Sequence, residues 1–310
     1  MKQIKGPVYR DKAGLYFEPG GFYLDPLRAV EHGIVSHAHL DHFCKGIKNV
    51  YAEAVTCRLM DLRVKGFPGQ FHPSPFRTPF VVNGITVTLF PAGHVLGSSM
   101  VLIEHEGIRY LYTGDFKTTP DPTCEPFEAV AADVLICEST YADKSVTHPH
   151  ESELIKQLQG LQQANVIIGA YVLGKAQRLT ELLCRAFPGR QVMVHPDIIP
   201  YHHLYEHHNI VLGSWLPYDL TAFRKSDDTF FIVPPRVLTT FGRQGQFHTL
   251  MASSYAGNYS RMPLLRLSDH ADWNGFEKLI AEVQPATIIS IHGDGSGLSE
   301  LESAHELLLH

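Results

Sequence analysis

The sequence has no apolar run approaching the roughly 18 residues that cross a bilayer, and its basic start, MKQIKGPVYRDKAG, runs into no apolar stretch of a secretion signal. Both absences predict a cytoplasmic protein with no membrane partner. Cysteine is scarce: Cys44, Cys57, Cys124, Cys137 and Cys184 are odd in number, far apart and never in a C-x-x-C pair. That spacing argues against a disulfide framework and a thiolate metal site, and leaves five small apolar residues for the core. Internal repeats and low-complexity tracts are also lacking, which excludes a solenoid. With 44% apolar and 19% charged residues in 310, the chain can bury a sizeable core in about two domains.

Excess positive charge is missing too. The net charge is −6, which at first weighs against a nucleic-acid partner, because lysine and arginine supply backbone affinity. The sign is unevenly spread. Residues 1–142 carry 13 basic and 15 acidic side chains, residues 143–266 carry 12 and 9, and residues 267–310 carry 1 and 8, giving −2, +3 and −7. The middle of the chain is therefore basic, and several outer acids are candidate metal ligands whose charge bound cations would cancel.

What is present is a pattern of short strands with chemistry at their ends. Residues 22–24, 33–35, 85–90, 100–104 and 109–113 are apolar runs bounded by Gly, Pro or Asp and read as strands. Asp25 follows the first, His37 and His39 the second, His94 the third and Asp115 the last, so one edge of a β-sandwich is expected to carry a site. From about Ala142 the texture changes to helix and strand alternation. Residues 151–163 and 175–186 have helical spacing, and 166–171, 191–194, 210–212 and 230–233 read as strands. After Leu267 come a polar cluster, a helix over 274–283 and a strand over 287–291 ending at His292. The predicted organisation is an α/β domain over 143–255 inserted in a first domain made of 1–142 and 256–310.

Zinc needs several nitrogen or oxygen donors converging at about 2.0–2.2 Å. Alternate residues of an extended segment point the same way, so His37 and His39 can hold one ion together. Asp41 and His42 fall where the chain is predicted to turn into a helix, which redirects them to a second ion. A lone histidine behind a strand is more often a satisfied core or surface residue, but three histidines and an aspartate in six positions are not explained that way.

The run His37-Ala38-His39-Leu40-Asp41-His42 resembles the H-x-H-x-D-H signature of the metallo-β-lactamase superfamily. The remaining elements of that pattern follow in order: Asp25 behind an early strand, His94 in Pro91-Ala92-Gly93-His94, and Asp115 in Thr113-Gly114-Asp115-Phe116. Three more stretches narrow the branch. Glu138-Ser139-Thr140-Tyr141, Ser268-Asp269-His270-Ala271-Asp272-Trp273 and Ile291-His292-Gly293 resemble motifs A, B and C of the β-CASP nucleases, and residues 169–177 are similar to a strand-loop-helix segment of their cap domain. The opening Gly14-Leu15-Tyr16 to Asp25-Pro26, the string around His270 and the short length resemble the bacterial ligase-associated DNA exonucleases. Leu40 stands where that subfamily often has a small polar residue.

The resemblance implies an α/β fold, a metallo-β-lactamase αββα sandwich with an inserted α/β β-CASP cap. It implies two Zn2+, with Mn2+ as a substitute: His37, His39 and His94 on the first ion, Asp41, His42 and His292 on the second, Asp115 bridging, and Asp25 supporting the ligand loop. Asp41, Asp115, His270 and Glu138 are then the catalytic set of a phosphodiesterase using metal-activated hydroxide. His270 contacts the scissile phosphate or protonates the leaving oxygen while Glu138 orients it. A DNA exonuclease in DNA repair is implied, with an RNA-processing β-CASP ribonuclease as the alternative, and functional association with an ATP-dependent DNA ligase and a helicase.

The helix from Lys175 offers free amides to a phosphate, with Lys175 and Arg178 on one face. Arg236, Arg243, Arg261 and Arg266 are further candidates to line a backbone path. Three rival readings remain. His203-Leu204-Tyr205-Glu206-His207 fits the H-x-x-E-H pattern of inverted metalloproteases, in a stretch crowded with histidine. A binding protein that has lost its ligands is disfavoured by the filled ligand positions. A thioester or lactam hydrolase leaves the insert and the string around His270 without a purpose.

Overall fold

The computed structural model of the protein describes residues 2–161, 164–242, 247–254, 262–291, 298 and 306–309. The chain divides into two compact units, Met1–Thr147 with His270–His310, and His148–Asp269.

The first unit opens with a sheet of seven strands in chain order. β1 (Lys2–Lys5), β2 (Val8–Arg10), β3 (Leu15–Phe17) and β4 (Phe22–Leu24) pair antiparallel. β5 (Val30–Ile34), β6 (Ile47–Ala52) and β7 (Gln70–Pro73) continue it in parallel, with α1 (Ala54–Arg63) between the last two. The second sheet begins with β8 (Phe80–Val82), β9 (Ile85–Pro91), β10 (Ser99–His105) and β11 (Ile108–Tyr112), antiparallel, and turns parallel at β12 (Val134–Glu138).

The second unit alternates helices and strands: α2 (Glu151–Gln159), β13 (Val166–Gly169), α3 (Lys175–Ala186), β14 (Gln191–Val194), α4 (Ile199–His207), β15 (Trp215–Pro217), α5 (Leu220–Lys225), β16 (Thr229–Val233), α6 (Pro235–Gly242), β17 (His248–Ala252) and β18 (Leu264–Leu265). The chain then returns to the first unit as α7 (Trp273–Val283), β19 (Thr287–Ile291) and β20 (Glu306–Leu309), which join the second sheet beside β12.

Strand periodicity explains how the first unit packs. On β10, Val101 and Ile103 point into a core shared with Phe17, Phe22 and Ile34 of the first sheet. Met100 and Leu102 point the other way, onto Phe276, Leu279 and Val283 of α7. The two sheets thus face each other, and α7 covers the outer face of the second. Its first turn is capped by the Asp272 carboxylate, which accepts from Gly275 N at 3.2 Å, satisfying an otherwise orphaned amide.

In the second unit the strands run in the order β15-β14-β16-β13-β17-β18, all parallel. Such a sheet is covered on both faces, so its strands read as unbroken apolar runs, as in Thr229-Phe230-Phe231-Ile232-Val233. Phe230 and Ile232 pack with α2 and α3 on one face, Phe231 and Val233 with Phe223 and Leu238 on the other. Each buried Phe contributes about 1.5–3 kcal/mol of transfer free energy.

Two segments differ from the sequence expectations. No strand forms over 210–212; Asn209 turns left-handed (φ 62°) and Ile210 N bonds back to Tyr205 O at 3.1 Å, so these residues close α4, and the strand comes later as β15. No helix follows His39; a single turn closed by His42 N to His39 O at 3.1 Å leads on to β6. β18 pairs with β17 inside the second unit.

Candidate active site

In the first unit β4, β5, β9, β11 and β12 all end at the same edge; the first four deliver a polar residue just beyond their last pair, and β12 delivers Glu138 at its own last pair. Asp25 lies one residue past β4 with left-handed backbone (φ 44°), a conformation that costs energy for a residue with a Cβ. Its buried carboxylate is the hub of the loop. Oδ1 accepts from Ser36 N at 2.7 Å, and Oδ2 from Ser36 Oγ at 2.6 Å, Tyr112 OH at 2.7 Å and His42 Nδ1 at 2.8 Å.

Those bonds set the imidazole tautomers. Ser36 Oγ gives its proton to Asp25, so it accepts from His37 Nδ1 at 3.0 Å, leaving the His37 Nε2 lone pair turned outward. That nitrogen is 3.1 Å from His39 Nδ1, which is itself 3.1 Å from His94 Nε2. Asp115 Oδ2 lies 3.7 Å from both His37 Nε2 and His94 Nε2, and 3.3 Å from His42 Nε2. One proton cannot serve three imidazole nitrogens that converge in this way; a cation can. Ligand atoms of His37, His39, His94 and Asp115 lie within 4.8 Å of one another, as do those of Asp25, His37 and His42. These buried His and Asp groups fit a metal ion by number, chemistry and convergence.

The electrostatics agree. Burial pushes His37 well below the ordinary histidine value, helped by His42 and His94, which keeps it neutral and available as a donor. Burial acts the same way on His42, but Asp115 and Asp25 outweigh it and hold His42 well above. Burial would raise Asp115; His42, then His270 and His37, hold it well below the carboxylate range.

Beside this group sits a second pair. His270 Nδ1 is 3.1 Å from Glu138 Oε1, and its Nε2 is 3.9 Å from Asp115 Oδ2. Glu138 is almost fully buried and also accepts from Phe116 N at 3.1 Å and Thr140 Oγ1 at 2.7 Å. Ala271 N reaches Phe116 O at 2.8 Å, tying the segment after His270 to the Asp115 loop. Two glycines allow the loops to close: a Cβ on Gly114 (φ 53°) would stand 2.5 Å from Ser36 Oγ, and one on Gly93 (φ 74°) 2.2 Å from the Lys117 carbonyl.

Asp41 is not brought to the cluster. The turn that swings His42 inward leaves Asp41 exposed and outside these donor groups. His292, Arg243 and Arg261 lie outside the described residues. Lys175 is buried and ion-paired with Asp269, and Arg178 donates to the Ser268 carbonyl, so both cations expected at a phosphate already have protein partners. His203 is 65% exposed on α4, and Glu206 accepts from Trp215 Nε1 at 2.7 Å. Among the described residues the H-x-x-E-H run joins no converging donor group. Sequence reasoning missed Ser36 and Tyr112. The signal for Ser36 was its place beside His37; Tyr112 is 87 residues from Asp25 and gave none.

No family model matches the chain. It is 30% identical over 297 residues to a probable DNA ligase of Opitutus terrae, covering 90% of this chain and 28% of that one. It is 35% identical over 230 residues to the endoribonuclease ysh1 of Aspergillus fumigatus, covering 58% and 26%, and 27% identical over 185 residues to the DNA cross-link repair 1A protein of Gallus gallus, covering 54% and 19%. Through these relatives the chain is similar to the β-CASP branch of the metallo-β-lactamase superfamily. The chain spans less than a third of the length of each of these three relatives. A crystal structure of a protein of unknown function from Enterococcus faecalis V583 shares its fold, with a TM-score of 0.64 at 16% identity over 90% of this chain and 79% of that one. Among the described residues, no helix is long and apolar enough to cross a membrane.

Proposed function

We propose that the protein is a zinc-dependent phosphodiesterase that cleaves nucleic acid, a DNA exonuclease acting in repair. The convergence of three imidazole nitrogens and Asp115 beside the His270–Glu138 pair carries this reading. His37, His39 and His94 would hold a first ion and His42 with His292 a second, Asp115 serving both; Asp41, exposed in this structure, would join the second only after its turn moved inward, and Mn2+ would substitute for Zn2+. Bound metal supplies an activated water and offsets charge on the phosphoryl oxygens. The protein's own part is positional. Asp25 and Ser36 hold the ligand histidines in one tautomer. Glu138 accepts a hydrogen bond from Nδ1–H of His270 and sustains the imidazolium, so that Nε2–H contacts the phosphate and passes its proton to the leaving oxygen.

The two facing sheets with α7 outside support the αββα sandwich, residues 1–142 and 256–310, and the parallel sheet supports the β-CASP cap, residues 143–255. The relative named a probable DNA ligase supports a DNA substrate and association with a DNA ligase; an ATP-dependent ligase and a helicase belong to the proposal through the sequence resemblance alone, and the cytoplasm through the sequence reading alone. The relative named an endoribonuclease supports RNA as the second reading.

Metal analysis of the purified chain is expected to return about two zinc ions, and the loaded protein to cut end-labelled DNA or RNA, single-stranded or duplex. Hydrolysis that persists in Asp115→Ala or His270→Ala overturns the roles given to those residues.

A further inference from the structure

The C-terminal edge of the six-stranded sheet gathers side chains that the metal chemistry does not use. In an open parallel sheet a ligand crevice forms where neighbouring connections leave for opposite faces. Those after β13 and β14 run to α3 and α4, with Leu179 and Ile198 in the core of one face. The connection after β16 runs to α6, with Leu238 in the core of the other. β16 lies between β13 and β14, so the connections part on both sides of it. Just beyond these three strand ends stand Tyr171, His195 and Arg236, and the strands are still bonded there, Ala170 N to Val233 O at 2.8 Å and His195 N to Ile232 O at 2.9 Å.

Tyr171 is 49% exposed although aromatic. Its backbone is fixed: its carbonyl accepts from Ala176 N at 3.1 Å, and buried Gln177 accepts from Gly174 N at 2.8 Å and donates to Val172 O at 3.1 Å. The Lys175 ammonium, held by Asp269, lies 5.5 Å from the ring centroid. A solvent-facing ring on a fixed backbone, with a buried cation against it, is a stacking surface, and away from duplex ends it is unpaired nucleobases that have a face to offer it.

From this juxtaposition we infer that Tyr171 stacks on an unpaired nucleobase while the exposed guanidinium of Arg236, braced by Asp197, meets the neighbouring phosphate, so that the protein prefers single-stranded nucleic acid. The inference rests on the nucleic-acid reading above and names its substrate class.

The test is fluorescence anisotropy of the full chain with labelled DNA and RNA oligonucleotides, single-stranded and duplex, in chelator so that nothing is cut. Tyr171→Ala and Tyr171→Leu are expected to weaken single-strand binding roughly tenfold or more, Tyr171→Phe to retain it, and duplex binding to change little. An abasic strand should erase the difference between wild type and Tyr171→Ala. Losses in the DNA arm, the RNA arm or both support the inference and identify the source of the base. Equal losses on single strand and duplex, unchanged binding in Tyr171→Leu, or no oligonucleotide binding by wild type overturns it. Hydrolysis of bis(4-nitrophenyl) phosphate by zinc-loaded wild type, a substrate without a base, reports separately on the metal-site reading.

Discussion

Asp25 accepts four hydrogen bonds through two oxygens, yet the proposed ligand set leaves it off both ions. Its effect on metal is therefore indirect, through the orientation of His37 and His42. Asp25→Asn is expected to lower zinc affinity about 10- to 100-fold in chelator competition; an unchanged affinity would show that the tautomers are set elsewhere. His270 and Glu138 call for the opposite pattern. Glu138→Gln should slow hydrolysis about 10²- to 10⁴-fold while zinc content by elemental analysis stays that of wild type. At this scale the sequence was most readable where donors are adjacent: His37 and His39 share a side of one extended segment, and two-residue periodicity reveals that directly. The tie from Tyr112 to Asp25 spans two sheets and has no period to detect.

Among elements, the loops after β9 and β11 depend on glycine. Gly93→Ala sets a Cβ against the Lys117 carbonyl in a left-handed backbone, so the His94 loop must move. Its expected signature is zinc lost at chelator concentrations that wild type withstands. A second element-level device joins α3 to α4. His202 is buried between Gln177 Nε2 at 3.1 Å and Thr180 Oγ1 at 2.8 Å, and burial, then His203, lowers its pKa to about 3. The unfolded chain takes up this proton below pH 6.5 and the folded one does not, so stability is full above 6.5 and falls by about 1.4 kcal/mol per pH unit below it, until about pH 3. Urea unfolding of a Trp273→Phe chain, which leaves Trp215 as reporter, should show that slope between pH 6.5 and 5, and His202→Gln should flatten it. Elements were legible where apolar runs were long, as in β16 and α3. Residues 210–212 misled because Ile210-Val211-Leu212 has strand-like composition, whereas only Leu212 is buried and Val211 is exposed.

For the molecule as a whole, metal that binds the folded chain alone must stabilise it, by about 4 kcal/mol when free zinc is a thousand times its dissociation constant. Calorimetry with and without chelator should give a lower midpoint in chelator, and coincident midpoints would count against tight sites. The proposed division into two domains rests on the change of texture near Ala142, where period two gives way to period 3.6. On the far side β18 is only two residues long and gives no periodic signal. The Asp25 carboxylate has one more consequence, for timing. It collects donors from β11 of one sheet and from the segment after β5 of the other, so its four partners coexist only after both sheets have met. Competence to take up metal is thus a late event in folding, and a zinc-uptake signal during refolding should lag the appearance of β-structure.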